Sequence, residues 1–155
     1  NKINQSNLNA SKKIWQLVHS SYVPIDWQLD FKSGYRWSEK TWYKFISHGK
    51  KKGVDIKIPW ELARMQHLPQ MALEYINLPA DSKQKQLLPK EFRNQVLDYL
   101  ATNPPHFGVN WSCPMDVSIR ASNWLLAYDL FRSSGFIFDK EFESLFIESI
   151  ISHGH

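Results

Sequence analysis

The stretch PMDVSIRASNWLLAYDLF, residues 114 to 131, constrains this chain more than any other. Projected as a helix at about 100° per residue, it places Asp116, Arg120, Asn123 and Ala127 within a sector of roughly 60°. Met115, Val117, Ile119, Ala121, Trp124, Leu125, Leu126, Tyr128 and Leu130 cover most of the remaining circumference. Such a helix belongs inside a helical assembly, where an unpaired charge costs several kcal/mol, so its acid and base need partners or a wet cavity. Asp116 and Arg120 stand at i and i+4, close enough to form a structural ion pair with each other. Ser112 is the expected N-cap, and Pro114 and Asp116 suit the first turn.

The rest of the chain repeats the helical period. Leu8, Ile14, Trp15, Leu17 and Val18 predict a helix over 6–19, and residues 22–37 read as a loop with extended pieces. Residues 39–53 predict a short helix at most, and Lys50-Lys51-Lys52 reads as a solvated turn. Residues 55–78 hold the period through Leu62, Met65, Leu68, Ala72, Tyr75 and Ile76, but Pro69 predicts a kink or two helical pieces. A polar linker is expected over 79–88, then a helix headed by Pro89, then a last helix capped by Asp139. Phe142, Leu145, Phe146, Ile147, Ile150 and Ile151 make that last helix apolar enough to want a neighbour, which predicts self-association or an ill-ordered end. No sustained period-2 segment occurs, so the expected class is all-α, built from antiparallel helix pairs in one domain over 1–155.

Composition narrows the partners. With 43% hydrophobic and 22% charged residues the 155-residue chain can bury a core. One cysteine, Cys113, rules out an internal disulfide and a Cys-rich zinc site, and no cofactor is expected. No apolar run reaches the length of a membrane span. A net charge of +4 favours an anionic partner, and seven Trp residues supply faces that stack on sugars or bases. The Lys and Arg residues are scattered and carry no recognised nucleic-acid motif, so nucleic acid is the weakest candidate.

A second polar constellation precedes the first. In DIKIPWELAR, Glu61 and Arg64 lie at i and i+3 beside Trp60, with Asp55 and Lys57 on the approach. Two helices that each present an acid, a base and a Trp near their N-terminal ends predict a shared polar lining. DIKIPWELARMQHL, NPPHFGVNWSCPMDVSIRASNWLLAYDLF and IDWQLDFKSGYRW together resemble the N-terminal helical domain of heparinase II/III-like polysaccharide lyases, over about residues 25–155. The resemblance implies a partial (α/α) toroid whose concave face holds an acidic, uronate-containing polysaccharide. It implies β-elimination: a donor neutralises the carboxylate, a Tyr or His removes the C5 proton, and the glycosidic bond leaves without water. Positioned donors at the developing charge, and a base within hydrogen-bond reach, are what that chemistry needs.

On this reading Asn110, Trp111, Arg120, Asn123 and Trp124, with Lys57, Trp60, Glu61 and Arg64, line the sugar-binding wall. The chain contains no Asn-His dipeptide, although the family's catalytic set includes one together with a Tyr and a β-sandwich His. The resemblance therefore implies a substrate-holding portion that is inactive alone, completed by a C-terminal remainder, with no catalytic residue in this chain. His153 and His155 are expected to be terminal and solvated. A periplasmic or cell-envelope location follows from the resemblance. The competing expectation is a non-catalytic carbohydrate-binding or scaffold domain with the same cleft.

Overall fold

The computed structural model of the chain describes residues 5–47, 49 and 51–154, and over these it is mostly helical. The helices are α1 (Gln5–Trp15), α2 (Lys57–Ala63), α3 (His67–Asn77), α4 (Lys83–Thr102), α5 (Pro114–Ser133) and α6 (Lys140–His153). A minimal hairpin, β1 (Leu29–Asp30) and β2 (Tyr35–Arg36), pairs antiparallel with Leu29 opposite Arg36 and Asp30 opposite Tyr35. Single 3-10 turns occupy Tyr43–Phe45 and Val109–Trp111. Lys51 and Lys52 are exposed in a turn. Lys50 and His155 lie outside the described residues.

Pro69 explains the first departure from a continuous helix. In an unbroken helix its ring would meet the carbonyl of Met65, four residues back. The chain instead leaves the helix at that residue: Met65 adopts φ +52° and is fully buried, and α3 restarts at His67 with Pro69 in its first turn. The two expected pieces form, and the break lies four residues before the proline.

α4 corrects the second expectation, because the helix starts at Lys83 and not at Pro89. Ser82 adopts an extended N-cap conformation and its side chain accepts a hydrogen bond from Lys85 N, so the polar 83–88 stretch becomes helix. Pro89 is then interior and buried, and Lys85 O loses its helical donor. Burial of Phe92, Val96, Leu97, Tyr99 and Ala101 along the same helix outweighs that one missing bond. At α5 the cap is Cys113, with Pro114 at the first position; Ser112 Oγ donates to Val109 O at 2.6 Å and does not cap. Asp139 caps α6 as expected, accepting from Phe142 N at 3.0 Å.

The core lies where α3, α4, α5 and α6 meet. Trp124 has no exposed surface, stands edge-on to Tyr99 at 5.4 Å and stacks on Phe146 at 6.2 Å. Phe92, Phe131, Phe138 and Phe142 extend this aromatic cluster towards the other end of the bundle. Of the apolar residues expected on α6, Phe142 and Phe146 are buried, whereas Ile147 and Ile151 are more than half exposed.

The segment between α1 and α2 has little regular structure, and side chains of other segments hold it. Asp98 Oδ2, buried on α4, accepts from Tyr22 Oη at 3.0 Å, Ile25 N at 2.9 Å and Trp27 Nε1 at 3.2 Å. With no cation among these partners, burial raises the Asp98 carboxyl above its usual range. Gln28 Nε2 donates to Asn103 Oδ1 at 2.7 Å and its Oε1 accepts from Val109 N at 3.0 Å. Asn110 Nδ2 reaches Trp27 O at 2.7 Å. Gly108, at φ +81°, makes room for this arrangement, since a Cβ there would stand 2.6 Å from Gln28 Nε2.

Candidate functional site

The stripe on α5 faces the C-terminal end of α2. Asp116 is 1% exposed and accepts from Arg64 Nε at 2.5 Å. Arg120 Nη1 donates to Ala63 O at 3.4 Å and Nη2 to Asn110 O at 3.3 Å. Asn123 Nδ2 donates to Arg64 O at 2.8 Å, and Trp124 Nε1 approaches Met65 Sδ at 2.9 Å. The last carbonyls of a helix have no partner within it, and here side chains one helix away supply the donors. The three polar residues share a face, as their spacing predicts, and that face serves the α2–α3 junction.

The expected Asp116–Arg120 ion pair is not formed. Asp116 takes its cation from Arg64, 52 residues away, because α2 ends against the first turn of α5 and offers a guanidinium in line with the carboxylate. Arg120 is 0% exposed and, among the described residues, has no carboxylate at ion-pair distance. Aromatic faces and neutral acceptors surround its charge. The guanidinium carbon lies 4.5 Å from the Tyr99 ring centroid and 5.4 Å from that of Trp111. Burial lowers the Arg120 pKa from its ordinary value.

The third acceptor of Arg120 is His153, which corrects the expectation of a solvated terminal histidine. His153 is 9% exposed in the last turn of α6, and its Nε2 accepts from Arg120 Nε at 2.9 Å. An acceptor Nε2 puts the ring proton on Nδ1, which faces Ser149 O at 2.7 Å, so the neutral Nδ1–H tautomer satisfies both contacts. Burial, and secondarily the Arg120 charge, lower the His153 pKa to about 4. Trp111 and Trp124 pack against the ring at 4.8 and 5.3 Å.

The nine residues expected to line a sugar-binding wall therefore divide. Asn110, Trp111, Arg120 and Trp124 are buried and touch protein: Asn110 Nδ2 also donates to Asn103 Oδ1 at 2.9 Å, and Trp111 Nε1 to Asn103 O at 3.1 Å. These four are interior residues and not exposed lining, and their side-chain donors are spent on protein acceptors. Asn123 is partly exposed but spends its amide on Arg64 O. Lys57 and Glu61 are exposed, while Trp60 and Arg64 are partly so. Trp60 Nε1 donates to Val109 O at 2.9 Å.

Sequence reasoning missed His153, Tyr99, Asn103, Gln28 and Met65. A signal existed for His153, which continues the buried row Phe142, Phe146, Ser149 at helical spacing. Tyr99 is fully buried with no hydrogen-bond partner for its hydroxyl, and burial pushes that group up to about 12. A sealed hydroxyl held neutral is closed to proton exchange with anything at the surface. Asn110 Oδ1 and Asp116 Oδ2 are likewise buried without a partner. Among the described residues no three His, Cys, Asp or Glu side chains converge as a metal site, and no helix is long and apolar enough to cross a membrane.

Two concave spaces lie elsewhere. One, of about 760 Å³, runs between Tyr22–Val23 and Leu87, Glu91 and Asn94; the other, of about 420 Å³, is bounded by Leu8, Pro24, Trp27, Arg36 and Pro104. None of the nine predicted wall residues lines either space. The chain matches no family model, no curated protein and no solved structure.

Proposed function

We propose that this chain is the sugar-holding N-terminal helical portion of a heparinase II/III-like polysaccharide lyase, part of an incomplete (α/α) toroid that grips an acidic polysaccharide. The observation that carries the reading is the joining of the two stretches on which the resemblance rests. DIKIPWELAR and NWSCPMDVSIRASNW are about 50 residues apart in sequence, yet Arg64–Asp116, Asn123–Arg64 and Arg120–Ala63 bond them into one unit, and Trp60 bonds Val109 just before the second. On that unit Lys57 and Glu61 of α2 are exposed, and Trp60 and Arg64 are partly so. A cation beside an indole face suits a uronate ring, whose carboxylate needs charge and whose ring face needs a flat apolar partner.

In this role the chain orients the sugar, and the proton is moved by residues beyond it. The alternative, a carbohydrate-binding domain without chemistry, draws support from the sealed state of Tyr99 and His153, the two titratable groups packed against Arg120. Lyase action makes an unsaturated uronate that absorbs in the ultraviolet. The parent protein, offered heparan sulfate and alginate, should generate this absorbance. Binding without absorbance would leave the carbohydrate-binding alternative, and neither binding nor absorbance would remove both.

A further inference from the structure

The charge of the chain is unevenly distributed. Residues 31–60 contain eight Lys and Arg residues against two acids, Glu39 and Asp55, so this fifth of the chain carries more positive charge than the net +4 of the whole. Arg36 is engaged by Asp26 and Glu39, each at 2.8 Å. Lys32, Lys51, Lys52 and Lys57 are exposed, and among the described residues none has an ion-pair partner.

One buried carboxylate ties together the two segments that carry these lysines. Asp30 Oδ1 accepts from Lys32 N at 3.0 Å and Ser33 N at 3.3 Å, and Oδ2 accepts from Ser33 Oγ at 2.5 Å and Asp55 N at 3.0 Å. The hairpin turn and the approach to α2, 25 residues apart, thus meet at one side chain. Asp55 Oδ1 in turn accepts from Lys57 N at 2.9 Å. Lys51 Nζ lies 4.6 Å from the ring centroid of Tyr35, the residue paired with Asp30 across the hairpin. Phe31, next in chain, is 61% exposed. The carboxylates at this junction are Asp30, which is sealed, and Asp55, which is exposed; Lys32 and Lys57 donate backbone N–H groups to them, and Lys51 lies against the paired Tyr35.

We infer that Lys32, Lys51, Lys52 and Lys57, with Phe31, form an anionic-polysaccharide-binding patch around the Asp30 hub, separate from the α5 stripe. Lysines suit a flexible sulfated or carboxylated chain, because mobile point charges can follow groups whose spacing varies. An exposed ring among them offers a face to a sugar. The identity of the ligand rests on the acidic-polysaccharide reading above; the position of the patch rests on the Asp30 geometry alone. The patch lies on the approach to α2 and ends at Lys57, the first residue of that helix, so a chain bound there would run on along α2.

The test measures binding of heparin and alginate oligosaccharides by calorimetry at two salt concentrations. Lys51→Glu/Lys52→Glu should weaken binding about tenfold or more and lower its salt dependence. Lys12→Glu/Lys13→Glu, an equal change of charge on the exposed side of α1, should leave affinity within about twofold. Phe31→Ala should weaken binding with the salt dependence unchanged. Circular dichroism melts confirm that each variant folds. Equal loss in both double variants, equal affinity for a single-stranded oligonucleotide of matched charge, or no binding by the wild type would each overturn the inference. Wild-type binding that the patch variants leave intact overturns the patch and leaves the lyase reading standing. Failure of the lyase reading shows separately, as absent unsaturated product from the parent protein.

Discussion

Arg120 Nε donates to His153 Nε2 at 2.9 Å, joining the middle of α5 to the last turn of α6 inside the core. The bond requires a neutral imidazole, since a second cation there would face the guanidinium with almost no water between them. The folded pKa of about 4 stands against 6.5 in the unfolded chain. Between these values the unfolded state binds a proton that the folded state refuses, so stability falls as pH drops from about 6.5 to 4 and is level above. The loss should reach at most about 3 kcal/mol. His153→Gln keeps an acceptor and removes the titration. Urea unfolding at pH 7.5 and 5.0 should show the wild type losing stability where His153→Gln loses markedly less; parallel losses would place the acid sensitivity elsewhere.

Arg120→Ala should impair folding more than any ligand contact. It deletes a fully buried side chain and strands acceptors on His153, Ala63 and Asn110. The cost should be about 3 kcal/mol or more, and Arg120→Met, which fills most of the volume, should cost less. Denaturant midpoints decide this. A variant as stable as wild type but defective in polysaccharide binding would return Arg120 to the sugar-facing wall.

Asn123 holds the end of α2 through Arg64 O, next to the positive-φ Met65. Asn123→Ala should cost about 1 kcal/mol, the usual value of one part-buried hydrogen bond. Asn123→Asp should cost more, because a carboxylate would face a carbonyl oxygen at the negative end of a helix. Thermal melts should rank wild type above Asn123→Ala above Asn123→Asp, and a reversal of the last two would contradict the capping role.

Gly108→Ala combines two penalties. The backbone at φ +81° disfavours any side chain, and the new Cβ meets Gln28 atoms at 2.6 and 2.9 Å. Gln28 cannot retreat without releasing Asn103 and Val109 N. We expect a loss of about 2 kcal/mol or more. Adding Gln28→Ala removes the clash but not the backbone penalty, so the double variant should lose less than the two single losses combined. Simple additivity would show that the clash contributes nothing.

The helical class, the shared face of Asp116, Arg120 and Asn123, the Asp139 cap and the break imposed by Pro69 were all legible in the sequence, because each depends on neighbours within a few residues. What was not legible is which distant group completes each local pattern. Spacing alone pairs Asp116 with Arg120, and only the placement of α2 brings Arg64 closer. Pro89 looks like a helix start until Ser82 is seen to supply an earlier cap and the far side of α4 to be buried. Lys57, Glu61, Trp60 and Arg64 remain at least partly exposed, whereas the α5 residues of the same predicted wall turn inward.

Asn103 has a consequence for the order in which the molecule assembles. Its Oδ1 accepts from both Gln28 and Asn110, and neighbouring bonds link Gln28 to Val109 and Trp27 to Asn110 across 81 and 83 residues. Closing loops of that length carries a large entropic cost before any contact forms, so the polypeptide around Trp27 and Gln28 can settle only after the end of α4 and the turn before α5 have come together. The segment around Trp27 and Gln28 should therefore fold late, and its backbone amides should exchange with solvent in step with those of residues 103–111.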